Sequence, residues 1–193
     1  MKIAIIDYGA GNVRSVQFAL ERLGVSGKLT AEAEEIIRAD KVIFPGVGEA
    51  SSAMDALRRY GLDQVIPKLT QPVLGICLGL QLLCEWSEEG NTDCLGVFPA
   101  KVRSFPDNLK VPQVGWNTLS ALRSSLFQGV REASYAYFVH SYYVPVNSFT
   151  IAQSEYGIPF SAAMAKDNFY ACQFHPEKSS TTGEQILKNF LKQ

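Results

Sequence analysis

The first half of the chain alternates two hydrophobic patterns. Short apolar runs at Lys2–Asp7, Lys41–Phe44 and Val73–Ile76, with a weaker one at Gly27–Thr30, read as strands, the longer ones buried on both faces. Between them, Val13, Val16, Leu20 and Leu23 recur at helical spacing, and Gly24 stands where a helix is closed. An acidic helix is expected around Ala31–Ala39. Ala50, Ala53, Met54 and Leu57 form the apolar stripe of another. Strands and helices alternating at these lengths predict βαβ units around a parallel sheet.

From about Gly96 the texture changes. Val97–Phe105, Tyr135–Val144, Thr150–Gln153 and Phe169–Phe174 are aromatic and β-branched, and read as strands that include antiparallel ones. Thr181-Thr182-Gly183-Glu184 has the form of a capping box, followed by the amphipathic positions Ile186, Leu187, Phe190 and Leu191 of a last helix. With no internal repeat, low-complexity tract or linker, the expectation is a single α/β domain over residues 1–193. Its central sheet is mostly parallel and flanked by helices, with additional antiparallel strands in the second half.

Composition narrows the function classes without choosing one. The 193 residues are 47% hydrophobic and 19% charged, the balance of an ordinary globule, and the net charge of −1 gives no reason to expect nucleic acid or an anionic membrane as partner. Apolar runs are too short to span a bilayer, and the N-terminus reaches Asp7 too soon for a signal peptide, so a cytoplasmic location is expected. Cys77, Cys84, Cys94 and Cys172 form no C-x-x-C pair, and the two histidines, His140 and His175, are far apart. Neither disulfides nor a metal site is expected, and no cofactor.

One segment carries chemistry. The run Val73–Ile76 ends in Cys77, inside Gly75-Ile76-Cys77-Leu78-Gly79, and a helix is expected to start beyond it at Leu80-Gln81-Leu82-Leu83. A strand that breaks into a helix at a G-x-nucleophile-x-G turn presents the nucleophile at the helix N-terminus. There a cysteine is more readily a thiolate. Far downstream, His175-Pro176-Glu177 offers a general base with a carboxylate to fix its tautomer, and Pro176 favours an extended His175. Acyl transfer also needs oxyanion donors. The Leu78 amide is the first. Pro45-Gly46-Val47-Gly48, at the end of the preceding strand, supplies the second from Val47 or Gly46. Alone, Cys77 reads as a small core residue, His-Pro-Glu as a loop and Pro-Gly-Val-Gly as a turn; together they read as one acyl-transfer site. For Cys84, Cys94 and Cys172 the core reading stands. His140 reads as a satisfied core or interface histidine, and Trp116 with the tyrosines at 135, 137, 142 and 143 as packing.

These motifs resemble the triad-type (class I) glutamine amidotransferases. Gly75–Gly79 with Gln81 behind it, and His175-Pro176-Glu177, carry the match. Asp7-Tyr8-Gly9-Ala10-Gly11-Asn12, Pro45–Gly48, Gly115-Trp116-Asn117, Tyr137–Tyr142 and the ending His175–Ser179 look like the glutaminase subunits of imidazole glycerol phosphate synthases. The resemblance spans essentially the whole chain. It implies a Cys77–His175–Glu177 triad, with L-glutamine held by Gly46, Gln81, Glu89, Ser141 and Tyr142. It also implies a heterodimer with a (β/α)8-barrel cyclase that uses the ammonia in histidine biosynthesis. Gln113 is a departure, since related chains often carry histidine there. The sequence has no P-loop or dinucleotide fingerprint, so a glutaminase here needs another chain to use its ammonia. Three alternatives stay open: a glutaminase subunit of another synthase (anthranilate or pyridoxal phosphate), a stand-alone cysteine γ-glutamyl hydrolase, and a non-catalytic scaffold.

Overall fold

A computed structural model describes residues 1–9 and 12–193, so the expected Tyr8–Asn12 turn lies partly outside the described residues. In chain order the elements are β1 (Ile3–Ile6), α1 (Val13–Arg22), β2 (Gly27–Thr30), α2 (Ala33–Ile37), β3 (Lys41–Gly46), α3 (Ala50–Arg59), β4 (Val73–Cys77) and α4 (Leu78–Leu82). The second half adds β5 (Cys84–Ser87), β6 (Thr92–Asp93), β7 (Phe98–Ser104), β8 (Gln113–Thr118), β9 (Tyr135–His140), β10 (Tyr142–Tyr143), β11 (Thr150–Glu155), β12 (Pro159–Lys166), β13 (Phe169–Cys172) and α5 (Ser180–Phe190).

A seven-stranded sheet in the order β11-β12-β13-β4-β3-β1-β2 forms the centre. β13, β4, β3, β1 and β2 run parallel, while β12 is antiparallel to both its neighbours. The apolar runs explain the parallel half, because every residue of β1, β3 and β4 is buried. Period-two alternation then divides them between two core layers. Ala4, Ile6, Val42 and Phe44 pack on one face with α3, while Ile3, Ile5, Ile43, Leu74 and Ile76 pack on the other with Leu20 of α1 and Ile186 of α5.

Four sequence expectations change. The helix after Cys77 exists but is a single turn, and the chain re-enters a strand at Cys84. The run Tyr135–Val144 is not one strand. It breaks at Ser141, and its two parts join different sheets, β9 pairing with β8 and β10 with β7. α5 starts at Ser180, so the supposed capping box lies inside its first turns. Glu184 there pairs with Lys188 at 2.6 Å rather than reaching back to a cap. β5, β6, β8 and β12 are strands that the hydrophobic pattern does not predict.

β8 and β9 form a two-stranded ribbon with unlike faces. Phe138, Ala136 and His140 point into the core. On the other face Val114, Trp116 and Tyr135 are 60%, 53% and 59% exposed, against the expectation that Trp116 and the tyrosine pack inside. The register puts Val114 opposite Val139 and Trp116 opposite Tyr137, so the uncovered positions form one apolar strip.

Candidate active site

Three parallel strands deliver the chemistry to one sheet edge. In the register of β3 with β4, Gly46 pairs with Cys77, and in that of β13 with β4, Cys172 pairs with Ile76. Val47, Cys77 and the Gln173–His175 segment therefore leave the sheet side by side at the carboxyl ends of their strands, where open α/β sheets place their sites.

The elbow has the strain its role requires. Cys77 has φ 55° and ψ −108°, in a region L-residues seldom occupy. The turn closes because its glycines have no side chains. A Cβ on Gly75 would stand 2.8 Å from Leu83 Cδ1 and 3.1 Å from the Gly79 carbonyl, and one on Gly79 would collide with the Phe44 carbonyl of β3. The Cys77 sulfur is nearly buried. It lies 3.6 Å from the Val139 carbonyl and receives the Gln173 side-chain N–H at 3.8 Å.

His175 is extended (φ −98°, ψ 96°), as Pro176 demands, but Pro176–Lys178 then form a tight 3₁₀ turn instead of continuing a strand. That turn brings the Glu177 carboxylate onto His175 Nδ1 at 2.8 Å, with both side chains buried. Burial alone would strip the imidazole of its charge. Hydrogen bonds to Cys77 and Glu177, together with their negative charge, outweigh burial and push its pKa up to about 10. The ring thus holds its proton at neutral pH, between a carboxylate on Nδ1 and the sulfur on its other side. This is the ion pair of a cysteine nucleophile.

A cleft of about 280 Å³ opens on the sulfur. Val47, Leu78 and His175 line it around Cys77, and Gln81, Glu89, Ser141 and Tyr142 complete its wall. Gly46 stays at the end of β3, behind Val47, and does not line the cleft. One carboxylate oxygen of Glu89 accepts the Ala50 N–H at 2.8 Å, which ties its loop to the start of α3. Burial pushes the Glu89 carboxyl up, against the opposing pull of that amide. The break at Ser141 has a purpose here, because it turns Ser141 and Tyr142 over the cleft instead of continuing the ribbon. The wider grooves, one by Lys2, Lys28 and Thr30 and one by Trp116 and Thr182, contain no nucleophile.

Sequence reasoning does not single out three contributors to the site. Gln173, read as part of a strand, reaches the sulfur, and a glutamine in an apolar run just before His175 is the available signal. Ser179 accepts the Tyr137 N–H at 2.9 Å and donates to the His175 carbonyl at 2.7 Å. The His175 N–H in turn donates to the Tyr137 carbonyl at 2.9 Å. Gln113 meets the ring of His140 across the ribbon.

His140 makes the site sensitive to acid. Burial lowers its pKa from 6.5 to about 4, with the nearby His175 charge also lowering it and the Tyr142 carbonyl opposing. As pH falls below 6.5 the unfolded chain takes up a proton that the folded chain refuses until about 4. Stability from this group is therefore complete above 6.5, falls through that window by about 3 kcal/mol in all, and is flat below it. Urea midpoints measured from pH 7 to 4 should fall more steeply for the natural chain than for His140→Phe; equal slopes would remove His140 as the cause.

A cysteine on a strained elbow, a carboxylate-oriented histidine and a mostly parallel sheet with an antiparallel extension define a class I glutamine amidotransferase. The sequence profile of that family, glutamine amidotransferase class-I, matches residues 4–193, and the chain belongs to the family. Over full length on both sides it is 58% identical to the imidazole glycerol phosphate synthase subunit HisH of Bacteroides fragilis and 48% identical to that of Escherichia coli K12. The fold also superposes on a putative GMP synthase protein from Thermoplasma acidophilum. That match has a TM-score of 0.76 and 22% identity, and covers 100% of this chain and 92% of the other.

Proposed function

We propose that this chain is the glutaminase subunit of an imidazole glycerol phosphate synthase, acting as one domain over residues 1–193 in the cytoplasm. The observation that carries the reading is the shared cleft: Cys77 and the His175–Glu177 pair on one side, Gln81, Glu89, Ser141 and Tyr142 on the other. Full-length likeness to HisH chains supports it.

The Cys77 thiolate attacks the side-chain amide carbon of L-glutamine. The amides of Val47 and Leu78, with Gly46 shaping the strand behind them, hold the oxyanion. His175 gives its proton to the amide nitrogen, which leaves as ammonia while the glutamyl thioester forms. A water that loses its proton to His175 then attacks the thioester carbon, and glutamate leaves as the sulfur is released. Glu177 keeps the imidazole in the required tautomer. No cofactor or metal enters these steps.

The ammonia is passed to a (β/α)8-barrel cyclase. There it reacts with a phosphoribulosyl carboxamide nucleotide to give imidazole glycerol phosphate and an aminoimidazole carboxamide ribonucleotide. The uncovered apolar strip of the β8–β9 ribbon fits such a partner, because Val114, Trp116 and Tyr135 in water mark a surface meant to be covered. Its strand β9 also leads into the site, since the Val139 carbonyl faces the sulfur.

Glutamate release by the chain alone should be slow and should rise at least about tenfold with the cyclase present, the size of an ordinary coupling energy. Equal turnover with and without the cyclase would defeat the partnership. Ammonia transfer to an anthranilate-forming or pyridoxal phosphate-forming partner would reassign the acceptor, and efficient cleavage of a γ-glutamyl peptide without any partner would make the chain a stand-alone hydrolase.

A further inference from the structure

An unbroken line of buried polar contacts runs from the ribbon to the nucleophile. Gln173 donates from Nε2 to the Cys77 sulfur at 3.8 Å. Its other end, Oε1, accepts from Gln81 Nε2 at 3.1 Å. The same Gln81 nitrogen donates to the Tyr142 carbonyl at 3.1 Å. That carbonyl also meets His140 Nδ1 at 2.7 Å, and His140 Nε2 meets the Gln113 side-chain amide at 2.9 Å. Gln113, His140, Gln81, Gln173 and Cys77 are all buried.

Hydrogen-bond directions along this line are fixed from the sulfur outward. A sulfur that accepts obliges Gln173 to present N–H to it and oxygen to Gln81. Gln81 then spends both protons of its nitrogen on Gln173 and Tyr142, leaving its own Oε1 as an acceptor on the cleft wall. The Tyr142 carbonyl can only accept, so His140 must donate from Nδ1. What remains is Nε2. The Gln113 oxygen stands beside it, and two acceptors around one imidazole are satisfied only by a charged ring. The surroundings oppose a charge: Phe105, Phe138 and Phe160 pack at 5.2–5.6 Å between ring centroids, and the protonated His175 lies near. A neutral ring donating from Nδ1 accepts at Nε2, so the Gln113 amide turns its NH2 end to the ring. The two ends of that amide fill the same space.

We infer that Gln113 and His140 are positioning residues for the substrate wall of the cleft: the Gln113 amide donates to His140 Nε2, which fixes the Nδ1–H tautomer and pins the Tyr142 carbonyl on which Gln81 is held. This rests on the glutaminase reading for its kinetic consequence, but not for the tautomer. Glutamine at 113 suits the place because it keeps a donor available without carrying charge. A glutamate there, an acceptor only, would call for a charged ring in an apolar cage.

Two measurements test it. The chain has only two histidines, so ¹⁵N-histidine labelling gives two rings, and His175→Ala assigns them. At pH 7 the His140 ring should be neutral with its proton on Nδ1; a proton on Nε2, or on both nitrogens, overturns the inference. In steady-state assays of the chain together with its cyclase, Gln113→Leu removes the donor. It should raise KM for glutamine about tenfold, the effect of one lost hydrogen bond, while kcat changes less than about threefold. Gln113→His, whose ring supplies an N–H, should restore KM. Unchanged KM in Gln113→Leu, or a loss confined to kcat, overturns the inference, and if Gln113→Leu does not fold, the tautomer and the Gln113→His result decide. Absence of glutamate release in the natural complex would defeat the glutaminase reading instead, and the tautomer measurement would still stand.

Discussion

Cys77→Ala is expected to lower glutamate release by about 10⁴-fold or more, with the fold intact. Once the sulfur is gone, water must attack a resonance-stabilised amide directly, and only the oxyanion amides and substrate contacts remain to help. Among the described residues no other nucleophile lines the cleft to replace it. The structural cost is small, because the Cys77 side chain caps no helix amide and its sulfur makes only long contacts. Alanine also inherits the φ of 55°, so the strain of the elbow is retained. Cys77→Gly separates the two properties: it should be as inactive as Cys77→Ala yet about 1 kcal/mol more stable, because glycine occupies that backbone region freely. Glutamate release and urea denaturation on the three proteins check both statements. Retention of a tenth of natural turnover by Cys77→Ala would show that the sulfur is not the nucleophile.

Gly79→Ala should be the most damaging single methyl in the chain. The added carbon would collide with the Phe44 carbonyl oxygen and stand 3.1 Å from the Phe44 carbonyl carbon. Both atoms are backbone of a fully buried central strand, so no rotamer change relieves the contact, and either the elbow or β3 must move. A loss above about 4 kcal/mol, or failure to fold, is the expected result. Gly61→Ala supplies the control. Gly61 has φ +67° with nothing within 4 Å of the added carbon, so it reports backbone strain alone, about 1 kcal/mol. Similar losses for the two variants in urea titrations would mean that the collision at Gly79 is relieved at no cost.

Where burial on both faces produced an unbroken apolar run, the strand was legible, as in β1, β3 and β4, and so was the elbow, because two glycines and a cysteine at the end of such a run have a specific steric meaning. His175 and Glu177 were legible as a pair for the same reason, although the turn that joins them is tighter than an extended segment. β12 was not, since Pro159–Lys166 is rich in small residues buried on consecutive positions and carries no alternation to read. The break at Ser141 was invisible because aromatic residues continue on both sides without glycine or proline. Trp116 and Tyr135 read as interior because apolar side chains announce a preference for burial but not what covers them. Gln113, Gln173 and Ser179 act through partners distant in sequence, which local pattern does not reveal.

The short tie at Ser179 has a mechanical meaning. Tyr137 is clamped to the base from both sides of its peptide, by the Ser179 hydroxyl on its N–H and by the His175 N–H on its carbonyl. Its ring packs edge-on against the outward-facing Trp116, 5.8 Å between centroids. The ribbon is thus a lever with the imidazole at its short arm. A push on Trp116 tilts the proton donor without disturbing a single strand of the central sheet, so the timing of proton delivery can be set from outside the cleft while the nucleophile stays where the elbow put it.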